Sequence, residues 1–209
     1  MKYFSKEDIE YLSSLTDEDV EKLKKGGQYP SFFCTETNNA LEAIEVITCV
    51  QVLKYIIDHY PNPDIYSVLK ILYLANKINL LKYNNPITSD TYLKLKIGPV
   101  PKLSLHIIQF VRGEEYFYEY DESIKNELEV IKDPKNGKLN RLHSLTKPDL
   151  TYLSELNIKC LDEAITKYVN SDPNELRELT YDEIYHSTPN LNDEITIIDM
   201  AKNFKNLPF

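Results

Sequence analysis

Residues 65–101 read IYSVLKILYLANKINLLKY, then NNPITSD, then TYLKLKI, then GPVP. In the first block, Ile65, Val68, Leu69, Ile71, Leu72, Leu74, Ala75, Ile78, Leu80 and Leu81 lie nearly all round a helix over 65–83. A helix that is apolar on every side belongs at the buried centre of a domain. Lys70, Asn76, Lys77 and Asn79 make it too polar to face lipid. Asp64 stands where an N-cap should, and Tyr83-Asn84-Asn85-Pro86 is turn material. Residues 87–97 then alternate, with Tyr92, Lys94 and Lys96 on one side and Leu93, Leu95 and Ile97 on the other. Period two with lysines on one face predicts a half-exposed strand, lysine face outward. Gly98-Pro99-Val100-Pro101 breaks it. Two prolines fix two φ angles and Gly98 permits either sign, which makes a stiff corner between strand and helix. Such a corner reads either as a rigid turn or as a preorganised binding edge.

Working outward, residues 39–60 form a long helix ended by Pro61-Asn62-Pro63. Upstream, 5–25 read as two short helices stopped by Gly26-Gly27, and 26–38 as a linker anchored by Phe32 and Phe33. The expected organisation is therefore an N-terminal helical appendage, 1–38, and one main domain, 39–209. Downstream of the corner, helix 102–112 turns Leu103, Ile107, Phe110 and Val111 inward and stops at Gly113. Leu128–Ile131 and Leu139–Leu142 flank Asp133-Pro134-Lys135-Asn136-Gly137, a hairpin signal. Thr146-Lys147-Pro148-Asp149 predicts the start of a helix of about 23 residues. Asp172-Pro173 predicts another, through Leu176, Leu179, Ile184 and Tyr185. The tail, 194–205, is a helix candidate whose Ile195, Ile197 and Ile198 also alternate like a strand. The expected fold class is mainly α (α+β), with a small antiparallel β-sheet.

Composition removes several function classes. The chain has 5 glycines in 209 residues, none in a G-x-G-x-x-G, G-x-x-x-x-G-K or G-x-S-x-G frame. Dinucleotide folds, P-loop NTPases and α/β-hydrolase elbows need glycines at those places. Net charge is −9, unevenly spread. Residues 1–45 carry 5 basic and 10 acidic groups, 46–145 carry 13 and 11, and 146–209 carry 6 and 12. That balance argues against non-specific nucleic-acid binding; it permits a basic protein partner, and plain solubility accounts for it equally simply. Cys34, Cys49 and Cys160 are odd in number and spaced unlike metal or redox pairs. No metal site and no cofactor are expected, and a reducing cytoplasm is the expected compartment. The first residues turn acidic at once, without an apolar signal region, and no apolar run approaches a membrane span.

For chemistry, the acidic pairs fall at helix starts or loops and read as solvated faces. Asp182 and His186, four apart on one helical face, are the best candidate for an oriented imidazole. A surface ion pair is the commoner meaning of that spacing. Cys49 reads as a small core residue. No nucleophile, base and orienter assemble, so no catalytic residues are assigned.

Leu72-Tyr73-Leu74-Ala75, then Tyr83 to Asp90, then Tyr92, then Gly98-Pro99-Val100-Pro101, resemble the signature of the Panacea domain. This is the SocA-like antitoxin family, also described as GepA-type phage-associated proteins. Leu145 to Leu153 and Asn174 to Thr180 resemble its later helix starts, in the family's order. Asn85, Ser89, Ile97, Lys102 and Tyr181 depart from its pattern. The resemblance implies the antitoxin of a toxin–antitoxin pair that neutralises a cytoplasmic toxin by protein contact. The toxin could be alarmone-synthetase-like. An adaptor that delivers a toxin to a Clp-type protease, and a phage-associated regulatory protein, are the alternatives it leaves open. The expected contact edge comprises Asp90, Tyr92, Lys94, Lys96, Gly98, Pro99, Val100, Pro101 and Lys102.

Overall fold

The computed structural model describes residues 31–204, except Asn62, 115–119 and 135–136, with the side chains of 31–42, Leu139 and 203–204 also outside the description. The expected helices over 5–25, the Gly26-Gly27 stop and the anchors Phe32 and Phe33 lie outside it, as does Asn136. The chain divides into two compact units, residues 1–45 and 46–209. Every described strand lies in the second unit.

The first helix, α1 (Ser31–His59), begins earlier than the expected residue 39 and ends where Pro61 and Pro63 forbid continuation. α2 (Ile65–Tyr83) has the expected bounds. Asp64 caps it, accepting from the Ser67 N–H at 3.0 Å and the Ser67 hydroxyl at 2.7 Å. Asn84, at φ 53°, closes its far end in the left-handed conformation that asparagine tolerates. Val68, Ile71, Leu72, Tyr73 and Ala75 are wholly buried, so α2 is the axis of the domain.

Two small antiparallel sheets stand against it. β1 (Tyr92–Leu95) and β2 (Gly98–Pro101) form a hairpin, and β5 (Glu194–Ile195) pairs with the other side of β1, giving the order β2-β1-β5. The expected stop at GPVP is thus itself a strand, in register Leu93↔Val100 and Lys94↔Pro99. It can be one because β2 is an edge, where prolines lacking N–H are tolerated. β3 (Leu128–Lys132) and β4 (Leu139–Ser144) make the second hairpin, where the turn signal predicts it.

α3 (Lys102–Val111) follows β2 directly and buries Ser104, Ile107 and Ile108. The predicted 23-residue helix is shorter. Asp149 caps only a 3-10 turn (Leu150–Tyr152), and α4 (Glu155–Tyr168) starts anew on Ser154, which accepts from the Asn157 N–H. The helix predicted from Asp172 is also divided. α5 (Pro173–Thr180) carries a capping box between Asp172 and Glu175, and α6 (Glu183–Ser187) is capped by Asp182. The ambiguous tail forms both elements, β5 and then α7 (Ile197–Phe204). α2 packs against α4, α5, α7 and β2. The protein is mainly α with small antiparallel sheets. Among the described residues, no helix is long and apolar enough to cross a membrane.

Candidate partner-binding hairpin

The β1–β2 hairpin hangs on polar side chains of the buried axis. Asn76 of α2 accepts from the Ile87 N–H at 2.6 Å and the Thr88 N–H at 3.2 Å, and donates to the Thr88 hydroxyl at 3.1 Å and to the Tyr92 hydroxyl. The loop entering β1 is thereby fixed. Tyr92 is fully buried, edge-on to Tyr73 at 5.1 Å between ring centroids. Burial raises the hydroxyl pKa of both tyrosines.

Asp90 is buried and acts as the missing cap of α3. Pro101 has no side chain able to cap, so the Asp90 carboxylate accepts from the Leu103 N–H at 2.8 Å, the Ser104 N–H at 2.9 Å and the Ser104 hydroxyl at 2.8 Å. Burial pushes its pKa up to about 6, against the lowering pull of those bonds.

Lys70 lies beneath the corner, 0 % exposed, and donates to the Pro99 carbonyl at 2.9 Å. Alternate carbonyls of an antiparallel edge strand point away from the sheet. Lys70 satisfies one of these where no further strand does. Burial pulls its ammonium down to about 7. Gly98, at φ 96°, fits here for two reasons. A side chain would be strained at that φ, and an added Cβ would lie 2.5 Å from Lys70 Nζ and 2.8 Å from Thr180 Oγ1.

The turn is held from α5 and α6. Tyr181 donates its hydroxyl to the Lys96 carbonyl, and Tyr185 donates to the Leu95 carbonyl at 2.9 Å. The two rings stack at 4.4 Å and 6°. Lys94 donates to the Thr188 carbonyl at 2.6 Å with its ammonium 4.7 Å from the Tyr185 ring centroid.

The expected exposed face is therefore reversed at its first residue. Tyr92 points inward, while Ile97, expected on the inner side, is 47 % exposed. Asp90, Gly98, Pro99, Val100 and Pro101 are buried as well. Lys94 and Lys102 are half-buried and Lys96 is exposed. Lys102 pairs with Glu194 at 2.7 Å. The buried residues shape the corner, and the surface belongs to Lys94, Lys96, Ile97 and Lys102.

Asp182 and His186 do not form the expected pair. The Asp182 carboxylate accepts from the Tyr185 N–H at 3.1 Å, Tyr73 at 2.7 Å and Lys77 at 2.6 Å, while His186 is exposed. The position that ends α5 and starts α6 ties both to α2. Sequence reasoning also missed Lys70, Asn76, Tyr181 and Tyr185 as organisers of the corner. One signal was present: Lys70, Tyr73 and Asn76 recur every three residues, a polar stripe on a largely apolar helix.

Among the described residues, no group of three or more His, Cys, Asp or Glu side chains could hold a metal ion. The arrangement fixes a backbone edge in position. The family model described as "Antitoxin SocA-like, Panacea domain" matches residues 68–184, from the first turn of α2 into α6. With more than half its length matched, the chain belongs to the SocA-like, Panacea-domain antitoxin family. Comparisons with curated proteins and with solved structures gave no match.

Proposed function

We propose that this protein is the antitoxin of a two-gene pair and neutralises its cytoplasmic toxin by direct protein–protein contact, without catalysis. The observation that carries the reading is the family match over 68–184. It encloses the β1–β2 hairpin together with Lys70, Asn76 and Tyr181, side chains that fix it. The contact edge is the corner from Asp90 to Lys102, with its buried residues setting shape and Lys94, Lys96, Ile97 and Lys102 meeting the toxin.

The test is co-expression. The reading frame beside this gene, placed under a tight promoter, should arrest growth alone and should not do so when this chain is present. The two products should co-purify as a complex of fixed stoichiometry. Failure of the chain to protect against a neighbouring toxic product overturns the proposal. Protection that requires a protease, with the toxin disappearing from lysates, replaces blocking by delivery.

A further inference from the structure

The β1–β2 turn is braced more heavily than a hairpin of its size requires, since strand pairing and turn geometry alone close most hairpins. Tyr181 and Tyr185 hold the carbonyls of Lys96 and Leu95, two successive residues at the tip. Lys94 is fixed on the Thr188 carbonyl and the Tyr185 ring. Lys70 holds the Pro99 carbonyl two residues past the turn. Every brace engages backbone or a strand residue, and none covers the side chains at the tip. Ile97 remains 47 % exposed on this fixed support, with exposed Lys96 beside it. Lys102 is committed to Glu194. Lys96 makes no ion pair among the described residues.

An exposed isoleucine on a mobile loop would lose conformational freedom on binding. Ordering of side chains and loops is a main cost of association, and a preorganised element avoids it. Binding energy concentrates in a few residues that enter desolvated pockets, ringed by contacts that exclude water. A charge at the rim adds steering and register. Resting on the antitoxin reading above, we infer that Lys96-Ile97 is the anchor of the toxin interface. The toxin surface it fits is an apolar socket with a carboxylate at its rim. A nucleic-acid backbone would also meet Lys96, but it offers nothing to Ile97, and the chain's net charge of −9 opposes it.

The experiment is calorimetry of the purified full-length chain with the purified toxin found by co-expression. Ile97→Asp should weaken binding by about 30-fold or more. Lys96→Glu should weaken it about 10-fold, and that difference should shrink between about 50 and about 300 mM salt. Leu150→Asp, an equally exposed residue on another element, should stay within about twofold of the wild type. Thermal unfolding of each variant checks folding. Should Ile97→Asp prove unstable, Ile97→Ser, which adds no charge, is read in its place.

If the wild type binds and the folded Ile97 variant binds within twofold, the anchor is overturned and the antitoxin reading stands. If the wild type neither protects nor binds, both fall. A shift of a labelled DNA duplex that Lys96→Glu abolishes would replace the protein socket by a phosphate backbone and overturn the inference.

Discussion

Two glycines with positive φ, Gly98 at 96° and Gly137 at 69°, each serve a β-hairpin, and the two hairpins are built on different principles. At the tip of the β3–β4 hairpin, backbone closes on backbone. The Gly137 N–H donates to Asp133 and the Asp133 N–H donates to Lys138, both at 2.8 Å. Its anchorage is away from the tip, where the Leu142 N–H in mid-strand reaches the Pro63 carbonyl and, at the open end, buried Lys54 pairs with Glu127. The β1–β2 hairpin is held at its tip by the side chains of Tyr181 and Tyr185, and just past it by Lys70 of α2. An added Cβ at Gly137 meets nothing within 4 Å, whereas at Gly98 it meets Lys70 and Thr180. One turn is local chemistry, and the other is a tertiary construction.

The sharpest way to break that comparison is to give both glycines a methyl group. Gly98→Ala carries the left-handed penalty of about 1–2 kcal/mol and an overpacking cost of about 1–3 kcal/mol. It should lose roughly 2–5 kcal/mol in urea unfolding. Gly137→Ala carries the first penalty alone, about 1–2 kcal/mol. Lys70→Met should shrink the Gly98→Ala loss by removing the ammonium in its way, and should leave the Gly137→Ala loss unchanged. Equal losses at the two glycines would mean that the packing beneath Gly98 relaxes freely.

The same contrast explains what the sequence could and could not tell. Asp133 to Gly137 is a local turn signal, so the β3–β4 hairpin was legible. So was α2, because Asp64, Pro63 and Asn84 act within a turn of the helix they bound. The β1–β2 hairpin was not. Alternation identifies two faces but not which one is buried; Asn76, sixteen residues back, decides that Tyr92 goes inward. GPVP looked like a breaker because prolines cannot serve a central strand. It is a strand because Lys70, twenty-nine residues earlier, satisfies the outward carbonyl. Ser154, hidden in an apolar run, restarts a helix that appeared continuous. Asp182 was visible as a member of an acid–histidine pair, yet its real partners, Tyr73 and Lys77, are more than a hundred residues away.

The next largest effect should come from Asp90, which suspends the start of α3 from the loop before β1. Asp90→Ala removes a side-chain cap, at about 0.5–2 kcal/mol, and leaves the buried Ser104 groups short of an acceptor, at about 1–3 kcal/mol. A loss of roughly 1.5–5 kcal/mol is expected. Hydrogen exchange should show the first turn of α3 and the β1–β2 amides losing protection more than β3–β4. Uniform loss across both sheets would make the two hairpins one cooperative unit.

Buried titrating groups give the β1–β2 hairpin its own pH dependence. Lys70 has a folded pKa of about 7 against an ordinary 10.5. Between those values the unfolded chain holds a proton that the folded chain has released, so this group makes stability rise with pH. The slope is at most about 1.4 kcal/mol per pH unit. Asp90 acts oppositely. Its folded pKa is about 6 against 3.8, so stability from this group falls as pH rises through that window. The expected measurement is the wild-type minus Lys70→Met difference in unfolding free energy from pH 7 to pH 9. It should grow in favour of the wild type as pH rises. A flat difference would mean that Lys70 stays charged beneath the corner.

The smallest effect should come from the β3–β4 hairpin's most visible polar contact. His143 and Glu129 face each other across the strands at 2.7 Å, both substantially exposed. Water already solvates such a pair, so its removal by Glu129→Ala should change stability by less than about 0.5 kcal/mol. Tyr181→Phe deletes one hydroxyl from the other hairpin and should lose about 1 kcal/mol, with faster exchange confined to the β1–β2 tip. Each contact is a single hydrogen bond, the first within a hairpin and the second from a neighbouring helix end to a hairpin. They differ in that the tyrosine hydroxyl bonds a backbone carbonyl that strand pairing leaves outside the ladder, while the histidine decorates strands already paired. If Glu129→Ala cost as much as Tyr181→Phe, the exposed cross-strand pair would be as structural as the tyrosine clamp, and the division between a self-closing and a braced hairpin would not hold.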